Sequence, residues 1–205
     1  MVNDALPEYA GFVFAKSKRQ VNEAQANLLK EKLDPSIKTV GVFVNADLEQ
    51  ILDLCKKNII DLVQLHGDET EDYLKTLKSL IHNPIIKAVR VRSRDDINAA
   101  QQSIADYLLF DTYKDGQYGG SGEAFDWSVI SKVRKPYFLA GGIRAENVAE
   151  AIETAKPYAV DVSSGVETDG VKDRDKIIDF ISKVRSVRSG VKENHLHTKK
   201  NPDYL

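Results

Sequence analysis

Side chains that can move protons or bind anions follow one short apolar run after another in this chain. Aspartate and histidine are common general acids and bases, and an arginine fork matches a carboxylate or a phosphate. Taken singly, an aspartate at such a position can simply cap a loop, and a lone histidine is more often structural. Their repeated occurrence at the ends of the runs nevertheless predicts a shared site. The residues in these positions are Lys16, Arg19, Asn45, Gln64, His66, Arg90, Asp111 and Asp161.

Glycines and hydroxyl side chains follow the last two apolar runs. Gly141 and Gly142 stand in LAGGI, and Ser163, Ser164 and Gly165 stand in VDVSSG. Backbone N–H groups exposed in such turns, beside the start of a helix, can bind a phosphate. Tight turns that require glycine are the alternative explanation. Because both loops show the pattern, the sequence predicts a phosphate site.

A third glycine-rich segment, YKDGQYGGSGEAFDW, covers Tyr113–Trp127 directly after Asp111. Its length and composition predict a loop that closes over a ligand and excludes water. A flexible connection without that role is the alternative.

Two kinds of apolar segment alternate along the chain and would position these residues. Unbroken apolar runs are typical of strands buried on both faces of a parallel sheet, and the segments between them have helical spacing, as in Leu48–Cys55. The chain has no GxGxxG after its first run, and its units are close to equal in length, which favours a TIM (β/α)8-type barrel over a doubly wound sheet. The predicted strands are Gly11–Phe14, Val40–Val44, Leu62–Leu65, Ile85–Val89, Tyr107–Phe110, Tyr137–Ala140 and Ala159–Val162.

The count gives seven recognisable βα units where such a barrel has eight. Val2–Tyr9 has the pattern of a helix end and its exit turn, so we expect the first strand and most of the first helix to be missing from this chain. Residues 1–188 form the predicted barrel domain. Residues 189–205 have few apolar positions and predict a flexible tail, in which His195 and His197 are solvated rather than metal ligands.

Composition excludes several classes of protein. Among 205 residues, 42% are hydrophobic and 29% charged, with a net charge of −2, which gives no reason to expect nucleic acid as a partner. The sequence contains no apolar run long enough to span a membrane and no secretory signal pattern. The single cysteine, Cys55, fits a reducing cytoplasm and lies on the apolar face of a predicted helix, so we expect a core thiol.

A resemblance to a known family rests on motifs spread over nearly the whole barrel region. Together they resemble the phosphoribosylanthranilate isomerases of tryptophan biosynthesis, and the likeness extends from about Leu6 to Val187. The combination is specific, although any one motif alone would be weak. The motifs are FVFAKSKR, VGVFVN, QLHG, LLFDT, YGGSGEAFDW, LAGGI and AVDVSSGVE.

The resemblance implies an Amadori rearrangement of a phosphorylated small molecule, without metal or cofactor, in the cytoplasm. It makes Asp111 the general acid and Arg19 the residue that holds the anthranilate carboxylate. It places His66 in the pocket and Asp161 near the sugar. The residues that it places on the phosphate side are Gly119, Gly120, Gly122, Gly141, Gly142, Ser163, Ser164 and Gly165.

One departure from the family pattern matters for activity. The family's general base is a cysteine on a KICG-like first strand, which this sequence lacks. We therefore expect impaired turnover and two open strand edges that favour self-association. Three alternatives stay open: a non-catalytic phosphate-binding remnant, a subunit completed by a separate N-terminal piece, and another sugar-phosphate barrel, such as a ribulose-phosphate epimerase or an indole-glycerol-phosphate synthase.

Overall fold

A single parallel sheet of seven strands forms the centre of the molecule. The computed structural model describes residues 1–111, 127–130 and 132–197, with side chains as far as residue 187. Each of the seven predicted apolar runs contributes a strand, and the strands lie side by side in chain order. They are β1 (Tyr9–Val13), β2 (Lys38–Phe43), β3 (Leu62–Leu65), β4 (Ile85–Arg90), β5 (Tyr107–Asp111), β6 (Tyr137–Ala140) and β7 (Ala159–Val160).

The helices are α1 (Val2–Ala5), α2 (Glu23–Lys32), α3 (Leu48–Lys56), α4 (Glu71–Leu80), α5 (Arg94–Ala100), α6 (Val148–Ala155) and α7 (Arg174–His197). Side-chain caps fix several of their starts. Asn22 begins α2 with a reciprocal capping box, in which its side chain accepts from the backbone N–H of Gln25 at 2.9 Å. Thr70 accepts from the N–H of Tyr73 at the start of α4. No described helix is both long enough and apolar enough to cross a membrane.

The strands alternate between an outer and an inner core, because successive side chains of a strand point to opposite faces. Two outer clusters pack the sheet against the helices, and they include Val63 and Leu65 of β3 and Phe110 of β5. An inner cluster fills the concave side and includes Leu62 and Leu109. Because both faces are buried, the strands read as continuous apolar runs in the sequence.

Ring contacts show that the sheet is curled. In a flat sheet, with neighbouring strands about 4.8 Å apart, β1 and β6 would be separated by roughly 24 Å. The ring centroids of Tyr9 in β1 and Phe138 in β6 are only 5.4 Å apart. The hydroxyl oxygens of Tyr9 and of Tyr158, which precedes β7, are 3.3 Å apart. The first and last strands therefore approach each other across the concave side.

The two ends of the described chain meet on the outside of the sheet. Helix α1 lies within the segment Val2–Tyr9, and it is followed by Leu6 in the left-handed region, with φ of 49°. Asp4 in α1 accepts from Nε of Arg174 in α7 at 2.8 Å. A hairpin, β8 (Glu167–Thr168) and β9 (Val171–Lys172), precedes α7.

The ends of the last strand and of the last helix differ from the prediction, and several other strand boundaries shift by one or two residues. The last strand ends at Val160 rather than Val162, and directly after it the N–H of Asp161 donates to the carbonyl of Leu139 in β6 at 2.8 Å. Helix α7 continues to His197, past the predicted start of the tail at Ser189. Gly190 lies within this helix, where a glycine weakens the helix without ending it. Residues 198–205 lie outside the described residues.

Candidate active site

Three titratable side chains converge at the carboxyl ends of the strands. His66 follows β3, Asp111 is the last residue of β5, and Asp161 follows β7. His66 Nε2 lies 3.7 Å from Asp111 Oδ2, with about a quarter of each side chain exposed (26% and 25%). That separation is longer than a hydrogen bond, and contacts of this kind commonly tighten when a ligand binds. These three strand-end residues lie close together in the structure.

The surroundings of Asp161 perturb its carboxyl group. Burial raises the pKa of its carboxyl, and the nearby negative charge of Asp111 adds to that rise. His66 and Lys172 act in the opposite direction without reversing it. The site therefore contains two neighbouring carboxyl groups, and the pKa of one of them, Asp161, is raised above its ordinary value.

Gln64 fixes the orientation of the His66 ring. Gln64 is 6% exposed and lies on β3, two residues before His66, so both side chains point to the concave side. Gln64 Nε2 lies 2.9 Å from His66 Nδ1. With the amide donating, Nδ1 accepts and the ring proton sits on Nε2, which faces Asp111. The backbone N–H of His66 also donates to the carbonyl of Phe43 at 2.8 Å.

A buried ion pair supports the loop that carries His66. Glu69, with a side chain 1% exposed, lies 2.7 Å from Nζ of Lys87 in β4. Burial would raise the pKa of Glu69, but hydrogen bonds from Lys87 and from the N–H of Asn45 lower it overall. A Cβ at Gly67 would lie 2.5 Å from Asn45 Oδ1, so only glycine fits there. Sequence analysis missed Glu69 and Lys87, although a lysine inside an apolar run was a signal that it had to be paired.

The two predicted phosphate loops are in direct contact. Gly141 and Gly142 have φ of 87° and 66°, conformations that favour glycine. A Cβ on Gly165 would lie 2.2 Å from the carbonyl oxygen of Ile143, so the loop after β7 rests on the loop after β6. The structure thus places Gly141, Gly142 and Gly165 in one continuous surface.

Ser163 and Ser164 complete this surface. Ser164 begins a 3₁₀ turn that extends to Val166, and Lys172 Nζ donates to the carbonyl of Ser163 at 2.7 Å. The other predicted phosphate residues, Gly119, Gly120 and Gly122, lie outside the described residues, as does the rest of the predicted closing loop up to residue 126.

Arg19 is bound to a carboxylate within the protein. Its Nη2 lies 2.7 Å from both Oε1 and Oε2 of Glu167, which comes from the hairpin after β7. The side chain of Arg19 is 46% exposed and that of Glu167 is 7% exposed. This ion pair crosses from the loop after β1 to the loop after β7, and nothing in the sequence pattern indicated it.

Cys55 is far from this chemistry. It lies on α3 in the outer core with Ile51 and Leu54, and burial raises the pKa of its thiol to about 11. The expectation of a core thiol is confirmed. Among the residues that the structure describes, no three His, Cys, Asp or Glu side chains are grouped as metal ligands.

Comparison with known proteins decides between the barrel families left open by the motifs. The family model described as N-(5′-phosphoribosyl)anthranilate (PRA) isomerase matches residues 2–183. The chain belongs to the phosphoribosylanthranilate isomerase family. The isomerase of Endomicrobium trichonymphae is 50% identical over 186 residues, which cover 91% of this chain and 92% of that protein. The isomerase of Lachnoclostridium phytofermentans is 46% identical over 194 residues, covering 88% and 89%.

Solved phosphoribosylanthranilate isomerases also share the fold. The crystal structure from Thermotoga maritima is 39% identical, with a TM-score of 0.79, and the match covers 91% of this chain and 95% of that one. A phosphoribosylanthranilate isomerase in complex with reduced 1-(o-carboxyphenylamino)-1-deoxyribulose 5-phosphate is 36% identical, with a TM-score of 0.77, covering 91% and 94%. The family resemblance read from the motifs is confirmed.

Proposed function

We infer that this chain is an isomerase of tryptophan biosynthesis that converts N-(5′-phosphoribosyl)anthranilate into 1-(2-carboxyphenylamino)-1-deoxyribulose 5-phosphate. The observation that carries the inference is the convergence of His66, Asp111 and Asp161 beside two contiguous glycine loops. A phosphorylated aminoaldose needs both parts: proton transfer at the sugar and an anchor for the phosphate. Family membership supports the same activity. We place the reaction in the cytoplasm, where the single buried thiol stays reduced.

Asp111 is our proposed general acid. The rearrangement begins when an acid protonates the furanose ring oxygen and the ring opens. Asp111 ends β5 on the concave side, and about a quarter of its side chain is exposed. Its carboxyl group is therefore accessible to a ligand above the strand ends. His66, oriented by Gln64, presents Nε2 to the same carboxyl and can steady its charge after the proton has left.

Binding of the two anionic ends of the substrate is assigned to opposite sides of the site. We propose that Arg19 binds the anthranilate carboxylate, because a planar guanidinium matches a planar anion. The phosphate would bind to the N–H groups of the loops around Gly141, Gly142 and Ser163–Gly165, with Gly119, Gly120 and Gly122 as further candidates. Asp161 would then lie near the sugar between them.

A closed barrel requires one more strand than the structure describes. In the described part of the chain, backbone pairing extends from β1 to β7, and no ladder joins these two strands to each other. We propose that an eighth strand, inserted between β1 and β7, completes the barrel. The family resemblance implies that this strand carries the cysteine that removes the proton from the second sugar carbon. Cys55 cannot take that role, because it is buried on the opposite side of the sheet.

Turnover of this chain tests the proposal. The disappearance of phosphoribosylanthranilate fluorescence would be followed with the 205-residue chain and with two extended chains. One extension restores a KICG-like strand, and its matched control carries alanine in place of that cysteine. We expect the cysteine extension to exceed both other proteins by about 10²–10⁴-fold. Equal activity of all three would show that another residue is the base.

A non-catalytic binding protein is the alternative that the open strand edges favour. It predicts that the chain binds the reduced product tightly, while neither the chain nor its cysteine extension turns over. Calorimetry with that ligand separates this result from simple misfolding, since a misfolded chain would not bind. Self-association through the same edges stays a prediction, and the oligomeric state with and without the extension would test it.

A further inference from the structure

The strongest observation outside the proposed machinery is the environment of Glu167. Its side chain is 7% exposed, and its two closest charged neighbours are Arg19 at 2.7 Å and Lys172 at 3.0 Å. The contacts of Oε1 are ion pairs without hydrogen-bond alignment, whereas Oε2 accepts a hydrogen bond from Arg19 Nη2. Burial would raise the pKa of this carboxyl, but the hydrogen bond from Arg19 and the positive charges of Arg19 and Lys172 lower it overall. The group is therefore built to stay negative.

The backbone around Glu167 is held as firmly as its side chain. Glu167 pairs with Lys172 in the register of the β8–β9 hairpin, whose turn residues Asp169 and Gly170 have φ of 52° and 79°. Lys176 Nζ donates to the carbonyl of Glu167 at 2.8 Å. Arg19, in contrast, lies on a loop and is 46% exposed. In this pair the glutamate is nearly buried and held at its backbone, and the arginine is the more exposed partner.

The charges and donors of the pair leave room for a second anion. One carboxylate between two cations gives a local net charge of +1. The hydrogen bond to Glu167 uses Nη2 of a guanidinium that carries five N–H donors, so the Nε and Nη1 sides remain to face a ligand. If Glu167 instead competed with the ligand for Arg19, its carboxylate would have to move out of its nearly buried position between Arg19 and Lys172.

We propose that Glu167 is a positioning residue, which holds the Arg19 guanidinium at the mouth of the site so that its outer edge can receive a ligand carboxylate. The proposal rests on the proposed function, in which Arg19 binds the anthranilate carboxylate. In this role Glu167 contributes to the preference for a ligand that carries a carboxylate. Without Glu167, Arg19 still carries its charge, but its guanidinium is no longer held in one position.

Binding measurements test this role independently of turnover. The probes are reduced 1-(o-carboxyphenylamino)-1-deoxyribulose 5-phosphate and the same compound without its carboxyl group. We expect Glu167→Gln to weaken binding of the carboxylated compound about tenfold and to leave the other compound unchanged. Glu23→Gln is the matched control, because Glu23 forms an ion pair with Lys57 at 2.6 Å on the outer helices. It should change neither affinity.

Arg19→Ala distinguishes the positioning role of Glu167 from the carboxylate-binding role of Arg19 on which it rests. If Arg19→Ala leaves the preference for the carboxylated compound intact, the proposed role of Arg19 fails, and the positioning role fails with it. If Arg19→Ala abolishes the preference but Glu167→Gln does not alter it, only the positioning role is overturned. We expect Glu167→Gln to have no further effect when Arg19 is already alanine.

Two further outcomes are decisive. Tighter binding of the carboxylated compound by Glu167→Gln would show that the glutamate competes with the ligand, and would overturn the proposal. If Glu167→Gln does not fold, Glu167→Asp replaces it, because aspartate keeps the charge but draws Arg19 back by one methylene. Loss of the carboxylate preference in Glu167→Asp would support positioning, and an unchanged preference would overturn it.

Discussion

The amino and carboxyl ends of the strands are built from different chemistry. At the amino ends, a cluster of aromatic rings covers the inner core, with Tyr9, Tyr107 and Tyr158 around Phe138 at centroid distances of 5.4 to 5.9 Å. At the carboxyl ends stand the charged and titratable groups of the candidate site, among them Asp111. Aromatic packing stabilises without requiring a ligand, whereas unbalanced charge is useful only when a substrate is present.

Side chains connect β1 and β7 at both ends, so the two connections can be compared directly. Near the amino ends of β1 and β7, the hydroxyls of Tyr9 and Tyr158 are 3.3 Å apart. Beyond their carboxyl ends, Arg19 and Glu167 form an ion pair at 2.7 Å. The tyrosine bridge joins two uncharged side chains, whereas the arginine–glutamate bridge is an ion pair whose arginine can also bind a ligand. Stability is therefore expected to depend on the first and binding on the second.

Asp111→Asn should give the largest effect, and only on activity. Asparagine keeps the shape of the side chain but cannot donate the carboxyl proton, so kcat should fall about 10²–10⁴-fold. The measurement is isomerase turnover in the chain with the cysteine extension, with the melting temperature as control. A fall in kcat below tenfold would remove Asp111 from its role as general acid.

Phe138→Ala should do the reverse and act on stability. Phe138 is 5% exposed and contacts three tyrosine rings, so its truncation should cost about 3–5 kcal/mol in the free energy of unfolding. Urea denaturation measures this cost, and Phe138→Leu, which keeps most of the volume, serves as the matched control. A large change in the KM of the folded protein would contradict the assignment of stability to the amino ends of the strands and of binding to their carboxyl ends.

Much of this architecture could be predicted from the sequence, for an identifiable physical reason. Strands buried on both faces must be continuous apolar runs, so all seven were visible, and the carboxyl ends of parallel strands meet, so His66, Asp111 and Asp161 could be placed together. These inferences need only local pattern and topology.

The partners of the charged residues could not be predicted in the same way. Arg19 and Glu167 are 148 positions apart, and their contact exists only because the sheet curls. The pair of Glu69 and Lys87 depends on how the loop after β3 packs against β4, and the sequence offered only the lysine in an apolar run as a hint. The extent of α7 was missed because the sequence after Val187 lacks an apolar periodicity.

Asp161→Asn should have a smaller effect, and one that depends on pH. Its pKa is raised in the folded protein, so the folded state holds the proton more tightly than the unfolded state, and stability falls as pH rises above the unfolded value of 3.8. Asparagine removes this penalty. At pH 7 we expect Tm to rise by about 2–4 °C, with the gain vanishing below about pH 4. Thermal melts over this range check it; a gain that is constant with pH would contradict it.

Tyr9→Phe should have the smallest effect. It removes one hydroxyl contact with Tyr158 and leaves the edge-to-face ring contact with Phe138, so about 0.5–1.5 kcal/mol should be lost. A double-mutant cycle with Tyr158→Phe isolates the contact between the two hydroxyls. Additive losses would show that the hydroxyls do not interact and that the rings alone bridge the amino ends.

The contact of Gly165 with the carbonyl of Ile143 has a consequence for redesign of the barrel. Because there is no space for a side chain between them, the loops after β6 and β7 fit each other as one surface rather than two. Barrel enzymes are often modified by transplanting one loop at a time. In this chain, a transplant that replaces either of these loops has to bring its neighbour from the same donor.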